Sequence, residues 1–169
     1  MKRPALVIAL ALGAALVTTV TAAASSTYTE WIHGSELPTA TQTEGQFVGE
    51  AAGSFAGTWY IDVTHQVLSN NGTPVAITGG HFRLNTLING WPDEILGSFA
   101  TGSVRQLDGF NGCVNQHYRV HGELSRVGVD GGNGTGVFDA TLTHYRVNIW
   151  FVGCVVYSAS VSGTVSLTF

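Results

Sequence analysis

The chain has 169 residues, of which 44% are hydrophobic and 11% charged, with 22 glycines and a formal net charge of −4 at neutral pH. That length holds one ordinary domain rather than two. The acidic balance excludes the basic footprint that nucleic-acid binding needs, and it opposes electrostatic attachment to anionic lipid.

Met1-Lys2-Arg3 opens the chain with a short positive patch, and Ala5 to Val17 then runs without a charge. Ala22-Ala23-Ala24 provides an A-x-A cleavage site before Ser25. This three-part order is that of a secretory leader. An uncleaved anchor is the alternative, because the apolar run nearly reaches the length of a membrane span, although it is rich in Ala and Thr near its end. Residues 1–24 are read as a signal peptide, which makes the mature protein secreted, extracellular or periplasmic, with no stable membrane insertion. Cleavage leaves no Lys, and five Arg face eleven Asp plus Glu.

Residues 25–44 are polar and irregular and are expected to form an extended N-terminal arm. The rest, 45–169, reads as a single β domain. No segment has the period of a long amphipathic helix; period-2 runs interrupted by Gly, Asn and Pro recur instead. A short strand is expected over 46–50. Over 54–68, Phe55, Trp59, Ile61, Val63, His65 and Val67 share one face. Asn70-Asn71-Gly72 is a tight-turn signal, and 74–86 returns as the partner strand. Further strands are expected near 96–107, 113–127 and 136–151. In 155–169, Val155, Tyr157, Ala159, Val161, Val165, Leu167 and Phe169 form one face, with Gly163 among them marking a bend or a close backbone approach.

Long consecutive strands joined by short turns predict an all-β fold, an antiparallel up-and-down barrel of six to eight strands, with a β-sandwich as the alternative. Cys113 and Cys154, the only cysteines, are expected to form one disulfide in an exported chain.

One pattern stands out. His-aromatic-Arg-aliphatic occurs at His81-Phe82-Arg83-Leu84, at His117-Tyr118-Arg119-Val120 and at His144-Tyr145-Arg146-Val147. In a strand, His and Arg two apart share a face. If those faces point inward, three strands build a cationic pocket suited to a carboxylate or another anion. If they point outward, the aromatic and aliphatic members fill the core and His and Arg meet water. The polar row from Asn115 to Glu123 favours the outward reading. The third copy continues the parity of Phe138, Ala140 and Leu142 and favours the inward one, and a bulge near Thr143 would reconcile the two.

His65, between Val63 and Val67 on an apolar face, is either a satisfied core histidine or a ligand contact at a barrel mouth; Trp59 joins it as a candidate. His117 and His121, four apart on a strand, are too far from each other to share a metal. No metal site and no cofactor are expected. No nucleophile elbow or phosphate loop is present. Trp31, Trp91 and Trp150 are candidates for stacking on sugars or partners, or for packing at barrel ends.

The stretches Gly53-Ser-Phe-Ala-Gly-Thr-Trp-Tyr-Ile-Asp62 and Gly134-Thr-Gly-Val-Phe-Asp-Ala-Thr-Leu142 resemble strands of the allene oxide cyclase and dirigent class of barrels. The resemblance implies an eight-stranded barrel with a central apolar cavity, used without a metal or organic cofactor. No catalytic residue of that class matches a position here. Gly57-Thr-Trp-Tyr60 also resembles the first strand of avidin-type barrels, without the later biotin-contacting pattern.

Three functions follow, in order. The first is binding of a small apolar or amphipathic ligand. The second is cofactor-free cyclisation or isomerisation. The third is a surface or carbohydrate-interaction module using exposed aromatics. The oligomeric state is left open.

Overall fold

The structure, a computed structural model, describes residues 25–169. The expected leader lies outside the described residues. Eight strands follow one another: β1 (Thr27–Glu36), β2 (Glu44–Ala52), β3 (Gly57–His65), β4 (Val75–Ile88), β5 (Trp91–Gln106), β6 (Gln116–Val129), β7 (Gly134–Ile149) and β8 (Gly153–Thr168). Each pairs antiparallel with its neighbour in sequence, and β1 pairs with β8 to close the barrel. The barrel is therefore the up-and-down form at the top of the expected strand range, and the sandwich is excluded.

Residues 25–44 are not a free arm. Thr27 to Glu36 form a ten-residue strand paired to β2 on one side and to β8 on the other. An open sheet of seven strands would leave two long unpaired edges, and β1 removes both.

Alternation along each strand sorts side chains into two sets. Ile61, Phe82, Leu84, Ile95, Leu124, Phe138, Val165 and Leu167 are buried in one continuous core. The outer wall carries Asp62, Arg83, Arg119 and Asp139. An apolar lumen inside a polar wall is the polarity of a barrel in water and the reverse of a transmembrane barrel. No helix among the described residues is long and apolar enough to cross a membrane.

Trp59 fills the centre of the wall between β1 and β2. It is fully buried, and its indole N–H donates to the carbonyls of His33 (3.2 Å) and Glu50 (3.0 Å). Gly34 and Gly49 face each other on those strands, and a Cβ at Gly34 would come within 2.8 Å of the indole. Gly34 thus makes room for the ring, and Gly49 for the close approach of β2 to the β1 backbone. Gly163 acts similarly: a Cβ there would fall 2.2 Å from the Asp139 carbonyl, so the residue marks a close approach of β8 to β7.

The two ends of the barrel differ. At one, Tyr28, Phe55 and Phe169 form an aromatic cap with ring centroids 5.0–6.0 Å apart. Beneath it Glu30 is completely buried, with no hydrogen-bond partner for either carboxyl oxygen among the described residues. At the other end, β7 and β8 run on beyond the rim. There a register shift at Tyr145/Arg146 breaks the alternation, and Tyr157, expected in the core, is exposed. Cys113, in the β5–β6 connection, bridges to Cys154 at the start of β8. The bridge fastens that connection to the projecting hairpin, rather than joining two strand bodies.

Two stability outcomes follow. Substituting both cysteines by Ser should cost up to about 4 kcal/mol, the chain-entropy value for a loop of this size, and lower the melting temperature by roughly ten degrees in calorimetry. Glu30→Leu should raise stability by about 1–3 kcal/mol, because it replaces an unpartnered buried polar group with an apolar one. Urea unfolding of the two proteins checks this, and an unchanged or lower midpoint contradicts it.

Candidate functional site

The three His/Arg repeats do not share an orientation. On β4, Phe82 and Leu84 are buried while His81 and Arg83 are exposed. On β6, Tyr118 and Val120 are buried while His117 and Arg119 face outward. On β7 the phase is opposite. Register pairs Gln116 with His144, Tyr118 with Leu142 and Val120 with Ala140, so His144 lies in the inward row. The break in register falls at Tyr145/Arg146 rather than at Thr143, and the β6–β7 pairing needs no bulge there to reconcile the two repeats. A cationic pocket of three His/Arg pairs is therefore not built.

The outward members are each partnered by a carboxylate. His81 Nδ1 lies 3.1 Å from Asp62 Oδ2, and Arg83 Nε donates to Glu94 Oε1 at 3.0 Å. Arg119 binds Asp139 through two hydrogen bonds of 3.0 and 2.6 Å. The guanidinium holds the Asp139 carboxyl below the usual carboxylate range, and the carboxylate in turn raises Arg119. The His117 ring and backbone N–H both donate to Asp108 in the β5–β6 connection, and the ring hydrogen bond lowers Asp108. These contacts brace the wall and its loops. Exposed pairs of this kind contribute little to stability.

Inside the barrel most of the space is filled. Trp59, a ligand candidate in the sequence, is buried in the core and is not among the residues lining the mouth cavity. A cavity of ≈ 50 Å³ remains at the end opposite the aromatic cap. Its floor is Phe47, Val63, Val104, Val120 and Leu142, and its rim carries Glu36, Glu44, His65 and His144. Of the candidates, His65 and His144 are brought together here; His81, Arg83, His117 and Arg119 are not. Arg146 stands just past the rim, its backbone N–H donating to Asn115 Oδ1 at 3.2 Å.

β1 delivers the partner that organises this mouth. His144 Nε2 donates to Glu36 Oε2 at 2.8 Å, with side chains only 18% and 14% exposed. The Tyr118 ring lies 5.1 Å from the His144 ring, and burial pushes the Tyr118 hydroxyl up. That hydroxyl donates to Gln116 Oε1 at 2.9 Å. His65 Nδ1 donates to the carbonyl of Gln66 at 2.7 Å, which leaves Nε2 as its free ring nitrogen. The mouth thus combines an apolar floor with a half-buried carboxylate–imidazole pair and a second imidazole. Among the described residues, no three His, Cys, Asp or Glu side chains are grouped as metal ligands.

Glu36, Glu44 and Tyr118 were not among the sequence candidates. In β1 the inward row is Tyr28, Glu30, Ile32, Gly34 and Glu36, which has too few apolar members to read as a barrel strand. The exposed tryptophans are also separated. Trp31 stands on the wall, Trp91 opens β5 at the capped end, and Trp150 lies at the tip of the β7–β8 hairpin at the mouth end. They do not form one stacking platform.

These features define an eight-stranded antiparallel up-and-down barrel with an acid–histidine site at one end of its lumen. No protein-family model, curated protein or solved structure matches the chain.

The Glu36–His144 bond should be measurable. A double-mutant cycle with Glu36→Gln and His144→Gln should return a coupling of about 1–3 kcal/mol, the range for hydrogen bonds to charged groups. Coupling near zero would mean that the pair is not formed in solution.

Proposed function

We propose that the protein is exported and that its barrel mouth binds one end of a small amphipathic molecule. The observation that carries this reading is the Glu36–His144 pair, 2.8 Å apart and largely shielded from water above an apolar floor. Ligand sites commonly pair an apolar lining with a few placed polar groups. The cavity volume limits what enters. At ≈ 50 Å³ it takes a few heavy atoms, since a water molecule's share of the liquid is about 30 Å³. A short apolar tip fits against Val104, Val120 and Leu142, while a hydroxyl or amine on the same molecule meets the Glu36 and Glu44 carboxyls at the rim. The leader-like N-terminus and the disulfide support export.

A cofactor-free isomerase is the second reading, favoured by the free Nε2 of His65 beside the Glu36–His144 pair. These groups can move a proton across a bound substrate.

Native mass spectrometry of protein purified from its own source separates the possibilities. Binding predicts a co-purifying small molecule that is lost from the Glu36→Gln and His144→Leu variants. A clean apo mass for the unaltered protein counts against a ligand carrier. Isomerase action predicts that a candidate ligand incubated with the protein is recovered at unchanged mass but altered retention, and that His65→Gln abolishes the change.

A further inference from the structure

The β7–β8 hairpin is the least expected surface on the molecule. Ile149, Trp150, Phe151 and Val152 are four consecutive exposed apolar residues, with Trp150 84% and Phe151 90% exposed. Consecutive strand residues point to opposite faces. Val156 and Tyr157 on the returning strand are both exposed as well. The hairpin is therefore apolar on both sides, a finger rather than a face. Such runs are hazards on a protein in water unless they have a use.

The tip is built to display its rings. Val152 N–H donates to the Ile149 carbonyl at 3.0 Å, closing a turn with Trp150 and Phe151 at its centre. Phe151 adopts φ 72°, a left-handed conformation that favours glycine. A large aromatic is retained there and stacks on Trp150 with centroids 4.7 Å apart and planes 11° from parallel. Cys154 ties the root of the finger to the β5–β6 connection.

We infer that this finger docks the protein on a zwitterionic phospholipid surface, with Trp150 and Phe151 entering the headgroup–acyl boundary. Charge selects that surface. From Val147 through Phe169 there is no Asp, Glu, Lys, Arg or His, so the finger itself neither attracts nor repels headgroups. The remainder of the barrel, with five Arg against eleven Asp plus Glu, repels anionic lipid. Shape selects a fluid medium. A two-sided convex finger needs an apolar environment all around it, and the mouth cavity of a second copy, ≈ 50 Å³, is too small for an indole. A sugar would stack on a free ring face flanked by charged or amide hydrogen-bonding groups. Here each ring covers one face of the other, and Ile149 to Val152 carry none, Asn148 being the one amide beside them. Interfacial elements that work this way bury their apolar side roughly 5–10 Å deep, and two or three strand residues at about 3.3 Å each provide that reach. Trp and Tyr are the residues enriched at this depth.

The inference does not depend on a ligand at the mouth, and its test does not involve one. A full-chain Trp31→Phe/Trp91→Phe variant leaves Trp150 as the exposed indole, with Trp59 buried in the core. Phosphatidylcholine vesicles brominated near the top of the acyl chain should quench its emission, and vesicles with added anionic lipid should bind it more weakly. In the otherwise unaltered chain, Phe151→Gly relieves the left-handed turn, so that variant should melt no lower than the parent while partitioning roughly tenfold less onto phosphatidylcholine. Absence of quenching overturns the inference. So does equal partitioning of the Phe151→Gly variant, or a concentration-dependent self-association without lipid that the same substitution abolishes.

Discussion

Closure of β1 onto β8 is the constraint on which the rest of the structure depends. It is a backbone interaction first. Nine consecutive registered positions, from Thr27↔Thr168 to Ser35↔Ser160, satisfy the edge of β8, and the opposite side of β1 satisfies β2. The first strand contributes little apolar surface of its own; Ile32 is its one fully buried hydrophobic residue. Its value lies in completing hydrogen-bond ladders that would otherwise face water or another chain. Closure also brings Glu36 across the mouth to His144, so the polar site exists only in the closed barrel.

That dependence explains what could be read from the sequence. β3, β4, β6 and β8 have inward rows dense in Val, Ile, Leu and Phe, and their alternation is visible without a structure. β1 is not visible, because its inward row is chosen for fit rather than hydrophobicity. Gly34 yields to Trp59, Glu30 sits by Gly53, and Glu36 serves His144. The disulfide was legible from cysteine count alone. The mouth was half legible: His65 and His144 stood out as polar residues on apolar rows, but Glu36, the acidic partner of His144, lay in a segment that reads as an extended arm. The three His/Arg repeats could not be oriented from the sequence for a definable reason. A local motif has no fixed phase relative to the barrel interior, and only the cross-strand register sets that phase. Gln116 opposite His144 places one copy inside and another outside.

The molecule concentrates its departures from ordinary barrel economy at the two ends. The capped end buries an unpartnered carboxyl at Glu30 beneath three aromatic rings. The mouth end holds the acid–histidine pair, the bridge and the apolar finger, whose Phe151 sits in a backbone region that costs a non-glycine residue roughly 1–2 kcal/mol. The wall between them is conventional, apolar within and ion-paired without. Mouth and finger lie at the same end of the barrel.

The pairing of first and last strands also sets a clock for folding. Thr27 and Thr168, 141 positions apart, meet at a 2.8 Å side-chain hydrogen bond. Every other ladder joins neighbours and can form as the chain lengthens. This one waits for the final strand, and at about 5–20 residues per second the wait during synthesis is on the order of ten seconds or more. For that interval the chain has an unfinished sheet with an open edge, vulnerable to wrong partners yet still unlocked. A protein whose first strand cannot be sealed until its last is made acquires its closed, fully paired wall in a single late step.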